Sequence, residues 1–106
     1  MIEIYHVCPI KQYGLNLYFF NEIRVCGVEV HSNQKEFEID SAVCELIDYE
    51  GKTLNTMECI LNNIDKEVFL YFDTSDLHIG KIYILKFKIY IKDKCIVYKS
   101  KIKIEE

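Results

Sequence analysis

Lys81-Ile82-Tyr83-Ile84-Leu85-Lys86-Phe87-Lys88-Ile89-Tyr90-Ile91-Lys92-Asp93-Lys94-Cys95-Ile96-Val97-Tyr98-Lys99-Ser100-Lys101-Ile102-Lys103-Ile104 alternates apolar and polar side chains through two arms joined at a polar tip. A period of two is the mark of a strand with one buried face, so the stretch predicts a β-hairpin. With the reversal at Asp93-Lys94, Tyr83 opposes Ile104, Leu85 opposes Ile102, Phe87 opposes Ser100, Ile89 opposes Tyr98 and Ile91 opposes Ile96. The other face then sets Lys86 against Lys101, Lys88 against Lys99 and Tyr90 against Val97. The core is expected on the first face only.

Immediately upstream, Leu77-x-x-Gly80-x-x-Tyr83 places a tyrosine at the start of a long strand just after a turn. This matches the tyrosine corner of immunoglobulin-like sandwiches, in which the hydroxyl bonds to backbone a few residues upstream. Leu77, Gly80 and Tyr83 are therefore assigned a folding role. Further toward the amino terminus, residues 2–8 read as a short edge strand, and the run from Pro9 to Gly14 breaks the pattern. Residues 15–20, apolar on both faces beyond Asn16, predict either a buried strand or a surface covered by another molecule. Residues 23–31 read as a strand closed by Ser32-Asn33-Gln34-Lys35. Residues 37–48 form the next, with a bulge near Asp40-Ser41 reconciling its two inward parities. A turn at residues 48–52, with Gly51 at the positive-φ position, leads to a returning strand over 53–61. Residues 68–72 follow, and the loop 74–79 is expected to hold a helical turn. Strands spaced by about 8 to 12 residues, with no 3.6-residue periodicity, predict an all-β, Ig-like antiparallel β-sandwich of about seven to eight strands.

Composition agrees with a single domain over residues 1–106, in which residues 1–22 are expected to form an N-terminal arm or edge strand making contacts between subunits. Half of the residues are hydrophobic, with eight Tyr, six Phe and one Pro, a balance that favours strands over disorder. No run of about 18 apolar residues suggests a membrane span, and Met1-Ile2-Glu3-Ile4 lacks the basic start of a signal peptide, so synthesis in the cytosol is expected. The five cysteines, Cys8, Cys26, Cys44, Cys59 and Cys95, are an odd number without a C-x-x-C, which predicts reduced and mostly buried thiols. The net charge of −4 conceals a division. Residues 29–80 carry twelve Asp and Glu against three Lys, whereas residues 81–104 carry eight Lys against one Asp.

Chemistry-bearing patterns are sparse. His6 has a nearby candidate ligand in Cys8, but the second pair that a zinc site needs is missing along the chain. The sequence contains no G-x-S-x-G elbow, and Gly14, Gly27, Gly51 and Gly80 stand singly, so neither nucleophilic catalysis nor phosphate cradling is indicated. Asp73, Asp76 and Glu67 read as solvated turn acids. The expectation is a non-enzyme with no catalytic, cofactor-binding or metal-ligating residues. The lysine stripe of Lys86, Lys88, Lys99 and Lys101, together with Leu15, Leu17 and Phe19, provides the candidate interfaces. Single-stranded nucleic acid is a weaker fit to the stripe, since Tyr98 falls on the inward parity and the sequence pI is about 5.4.

Three segments carry a resemblance: Glu36-Phe37-x-Ile39-x-Ser41-Ala42-x-Cys44-x-Leu46-x-Asp48-x-x-Gly51, then Asp73-Thr74-Ser75-x-Leu77-x-x-Gly80-x-x-Tyr83-x-Leu85, then a closing Ile102-Lys103-Ile104. Together they resemble the small Ig-like structural proteins of tailed bacteriophages of the Gram-positive type, across residues 36–104. The N-terminal third departs from that pattern. The resemblance implies a non-enzymatic virion component at the capsid or head–tail neck, made in the host cytoplasm. Its partners would be capsid, portal, neck or tail subunits and further copies of itself in a symmetric assembly. A tail, baseplate or surface adhesion module is the alternative, followed by a small cytosolic nucleic-acid- or regulator-binding protein of a mobile element.

Overall fold

A computed structural model describes residues 2–11 and 17–106. Strand accounts for 64% of the described residues and no α-helix occurs among them, so the fold is all-β. Nine strands occur among the described residues: β1 (Tyr5–Pro9), β2 (Leu17–Phe19), β3 (Ile23–Ser32), β4 (Ser41–Asp48), β5 (Thr53–Glu58), β6 (Ile60–Asn62), β7 (Glu67–Asp73), β8 (Ile82–Ile91) and β9 (Lys94–Glu105). They form a four-stranded sheet ordered β1-β3-β7-β6 and a five-stranded sheet ordered β2-β9-β8-β4-β5. The inner faces meet over a core that includes Val28, Val68, Phe72, Cys44, Leu85, Ile89, Ile102 and Ile104. The result is a two-layer β-sandwich.

The hairpin forms with the expected faces and a different register. Ile91 pairs with Lys94, so Lys92-Asp93 is the reversal in place of Asp93-Lys94. Tyr83 pairs with Ile102, Phe87 with Tyr98 and Ile89 with Ile96, and on the outer face Lys86 pairs with Lys99, Lys88 with Val97 and Tyr90 with Cys95. Every partner has slipped by two, a change that leaves each side chain on its own face. The turn is pinned from outside. Lys92 has a φ of 56°, its amide donates to Asp40 Oδ2 at 2.8 Å, and its ammonium reaches Glu3 Oε1 at 2.8 Å.

Other departures have equally local causes. Residues 37–40 lie outside the sheet, so no bulge at Asp40-Ser41 is needed. There the Ile39 amide donates to Asn63 Oδ1 and the Asn63 amide group returns a bond to the Ile39 carbonyl. The expected strand over 53–61 is cut at Cys59 and changes sheet, yet Met57, Cys59 and Leu61 all still pack on the core. The loop after β7 makes turns, closed by Leu77 N–H to Thr74 O and Lys81 N–H to His78 O, and no helical turn. One strand pair is parallel: β2 runs alongside β9, with Leu17 beside Lys103, Tyr18 beside Ile104 and Phe19 beside Glu105.

Candidate interaction surface

The parallel pairing decides where the candidate interface residues lie. In β9, Ile102 and Ile104 are buried, so Lys99, Lys101 and Lys103 point out from the five-stranded sheet. Leu85, Phe87 and Ile89 are likewise buried in β8, which turns Lys86 and Lys88 to the same side. In β2 Tyr18 is buried, leaving Leu17 beside Lys103 and Phe19 beside Glu105 with 50% and 52% of their surfaces exposed. Leu17, Phe19, Lys86, Lys88, Lys99 and Lys101 thus share one face. Leu15 lies outside the described residues.

This short edge strand is held unusually firmly for three residues. Tyr18 packs edge-on against Phe72, with ring centroids 5.9 Å apart, and the Arg24 guanidinium sits 4.6 Å above its ring. Burial pushes the Tyr18 phenol well above its usual range. Arg24 also donates to the Leu17 carbonyl at 2.6 Å, and the Phe20 amide donates to Glu105 O at 2.8 Å. Fully buried Thr74 completes the latch: its hydroxyl donates to the Phe19 carbonyl at 2.6 Å and accepts from the Glu22 amide at 3.0 Å. The exposed Leu17 and Phe19 are therefore presented by fixed backbone.

Electrostatics grade across the face. Lys86 stands between Lys99 on β9 and Glu45 on β4. Lys88 Nζ pairs with Glu45 Oε1 at 3.2 Å, and exposed Glu58 follows on β5, opposite Val43. Opposed like charges are unfavourable by a few tenths of a kcal/mol, so Glu45 offsets part of the Lys86–Lys99 repulsion. Lys101 lies opposite Ile84 with its ammonium 6.0 Å from the Tyr49 ring centroid, and Lys103 reaches Glu105 at 3.5 Å. The face runs from an apolar edge through a basic band to an acidic side. Tyr98 points inward and packs on the core.

The residues assigned to folding meet at the end of the sheet away from the hairpin tip, the end that also seats β2. Tyr83 is buried, and its hydroxyl accepts the His78 amide at 3.1 Å, while Gly80 takes a φ of 82° and Leu77 is buried beside them. A cavity of about 1000 Å³ opens here between β4–β5 and β7, lined by Leu54, Met57, Tyr71, Asp48, Asp73 and Asp76. Two of its acids, Asp48 and Asp73, serve turns. Asp73 accepts the Ser75 amide, which holds its carboxyl below the usual carboxylate range, and Asp48 accepts the Glu50 and Lys52 amides.

A second cluster was not visible along the chain. Cys8 faces Glu29 across the β1–β3 pair, and His31 follows Glu29 on the same face. Cys8 Sγ donates to Glu29 Oε1 at 3.4 Å, and His31 Nε2 lies 3.1 Å from that oxygen. The two partners hold the Glu29 carboxyl below its usual range, His31 having the larger effect. Desolvation first, then the Glu29 carboxylate, raises the Cys8 thiol. The only trace of this cluster in the sequence is Glu29-x-His31, and its meaning depends on knowing that β1 lies alongside.

No family model and no curated protein matches the chain. Among solved structures it resembles an engineered protein, with a TM-score of 0.69 and 8% identity over 99% of this chain and 20% of that one. It thus spans about a fifth of that protein's length. It also resembles CopC from Methylosinus trichosporium OB3b, with a TM-score of 0.61 and 14% identity over 94% of each chain. At such identities the likeness extends to the β-sandwich fold alone.

Proposed function

We propose that this chain is a non-enzymatic, Ig-like structural subunit of a tailed-bacteriophage particle, at the capsid or head–tail neck, that docks through the outer face of its five-stranded sheet. The observation that carries the reading is the convergence of Leu17 and Phe19 with Lys86, Lys99 and Lys101 on that face. A rigid apolar edge beside a charge gradient suits recognition of a protein surface. Desolvated apolar groups supply affinity, while charge complementarity selects the partner and its orientation. The sequence resemblance over residues 36–104 supplies the virion context, and the tyrosine-corner bond supports the Ig-like assignment.

Particles purified from cells carrying the encoding phage or element test this directly. Peptides of the chain are expected there in fixed ratio to the major capsid protein. Particles that lack it, together with steeply salt-dependent retention of single-stranded nucleic acid by the purified chain, would move the function to a nucleic-acid-binding protein, because phosphate contacts release counterions.

A further inference from the structure

We propose that Cys8, Glu29 and His31 bind a divalent cation of the zinc class on the outer face of the four-stranded sheet, a site independent of the docking face. Their ligand atoms all lie within 4.8 Å of one another. Glu29 Oε1 is already 3.4 Å from Cys8 Sγ and 3.1 Å from His31 Nε2. Tetrahedral zinc, with bonds of about 2.0 to 2.3 Å, sets neighbouring ligand atoms roughly 3.4 Å apart. Two of the three separations are thus near those of a metal site, and closing the third takes about an ångström of side-chain movement.

The donor set selects the cation. A thiolate sulfur, an imidazole nitrogen and a carboxylate oxygen suit zinc-like ions, whereas calcium and magnesium require oxygen throughout. The carboxylate lies between two hydrogen-bond partners, the arrangement that a cation entering beside it would replace. On binding, the Cys8 thiol releases its proton to solvent and neutral His31 carries its proton on Nδ1, freeing Nε2. The two anionic ligands, Glu29 and the Cys8 thiolate, then balance the dication. Cys8 and Glu29 are half-buried and His31 is exposed, so the site is both sheltered and open to entry. His6 stands opposite His31 in register on the same face, where side-chain rotation offers a fourth ligand. Because β1 is an edge strand, bound metal would clamp it to β3.

Titration of the reduced full chain with Co²⁺, followed by competition with Zn²⁺ against a chromophoric chelator, provides the test. One equivalent is expected, with a thiolate-to-cobalt charge-transfer band that C8S abolishes. H31A should weaken binding at least 100-fold, since even partners outside the ligand shell cost 10- to 100-fold. C95S removes the exposed thiol and should leave binding unchanged. Zn²⁺ should also slow amide exchange across β1 in the wild type and not in C8S. Equal affinities in wild type and C8S, or a band lost in C95S, would overturn the proposal. Circular dichroism of each variant separates loss of binding from loss of fold.

Discussion

Single residues hold this sandwich together at places where backbone approaches backbone. A Cβ on Gly27 would lie 2.5 Å from the Val68 carbonyl oxygen and 2.7 Å from Phe69 Cβ, so any side chain there forces β3 away from β7. Gly27→Ala is expected to cost about 2 kcal/mol or more, measured by denaturant unfolding, as overpacking against fixed backbone does. Thr74→Val keeps the shape but leaves the Glu22 amide and Phe19 carbonyl without their partner, a loss of about 2 kcal/mol. Thiol reactivity offers a finer probe. Burial pushes Cys26 up to about 11 and Cys59 up to about 12, and raises Cys44 further. Alkylation at neutral pH should therefore label exposed Cys95 first and leave Cys26 and Cys44 unmodified until the protein unfolds. Fast labelling of Cys44 in the folded protein would contradict the packing described.

At the scale of elements, what could be read from the sequence follows from what period-two alternation encodes. It fixed the inward face of β8 and β9 because a one-residue slip would put Phe87 and Ile89 in water. It could not fix the register, because a slip of two is silent to the pattern and was decided by Asp40 holding the Lys92 amide across 52 residues. For the same reason the cut at Cys59 was invisible: the inward side chains keep their alternation while the backbone changes sheet. The parallel seat of β2 depends on a partner at the far end of the chain, and the Cys8–Glu29–His31 cluster on a cross-strand pairing. Both candidate interfaces were legible as residues, but their shared face was not. Leu17→Asp with Phe19→Asp should leave the circular dichroism spectrum unchanged, since both side chains are half in water, and should remove the chain from particles. The N-terminal segment should respond to acid. Lys92 and Lys94 hold Glu3 below the usual carboxylate range, so its tether to the hairpin tip is present above that range and lost as pH falls through the lowered value. Amide exchange at Ile4, whose N–H bonds Asn33, should accelerate there before the β8–β9 core does.

On the scale of the whole molecule, part of the division of charge along the chain becomes a gradient across one sheet, because Glu45 on β4 and Glu58 on β5 lie beyond the β8 and β9 lysines in the five-stranded sheet. A subunit with an apolar edge, a basic band and an acidic flank on one side can repeat around a ring only if each copy or partner meets it in one orientation. The sharpest measurement is competitive incorporation: wild type and Lys86→Glu/Lys99→Glu/Lys101→Glu chains are co-expressed during particle production and their ratio in purified particles is read by mass spectrometry. Wild type should exceed the folded variant there by at least tenfold. Equal amounts of the two in the particle would contradict the assignment of this face as the docking surface.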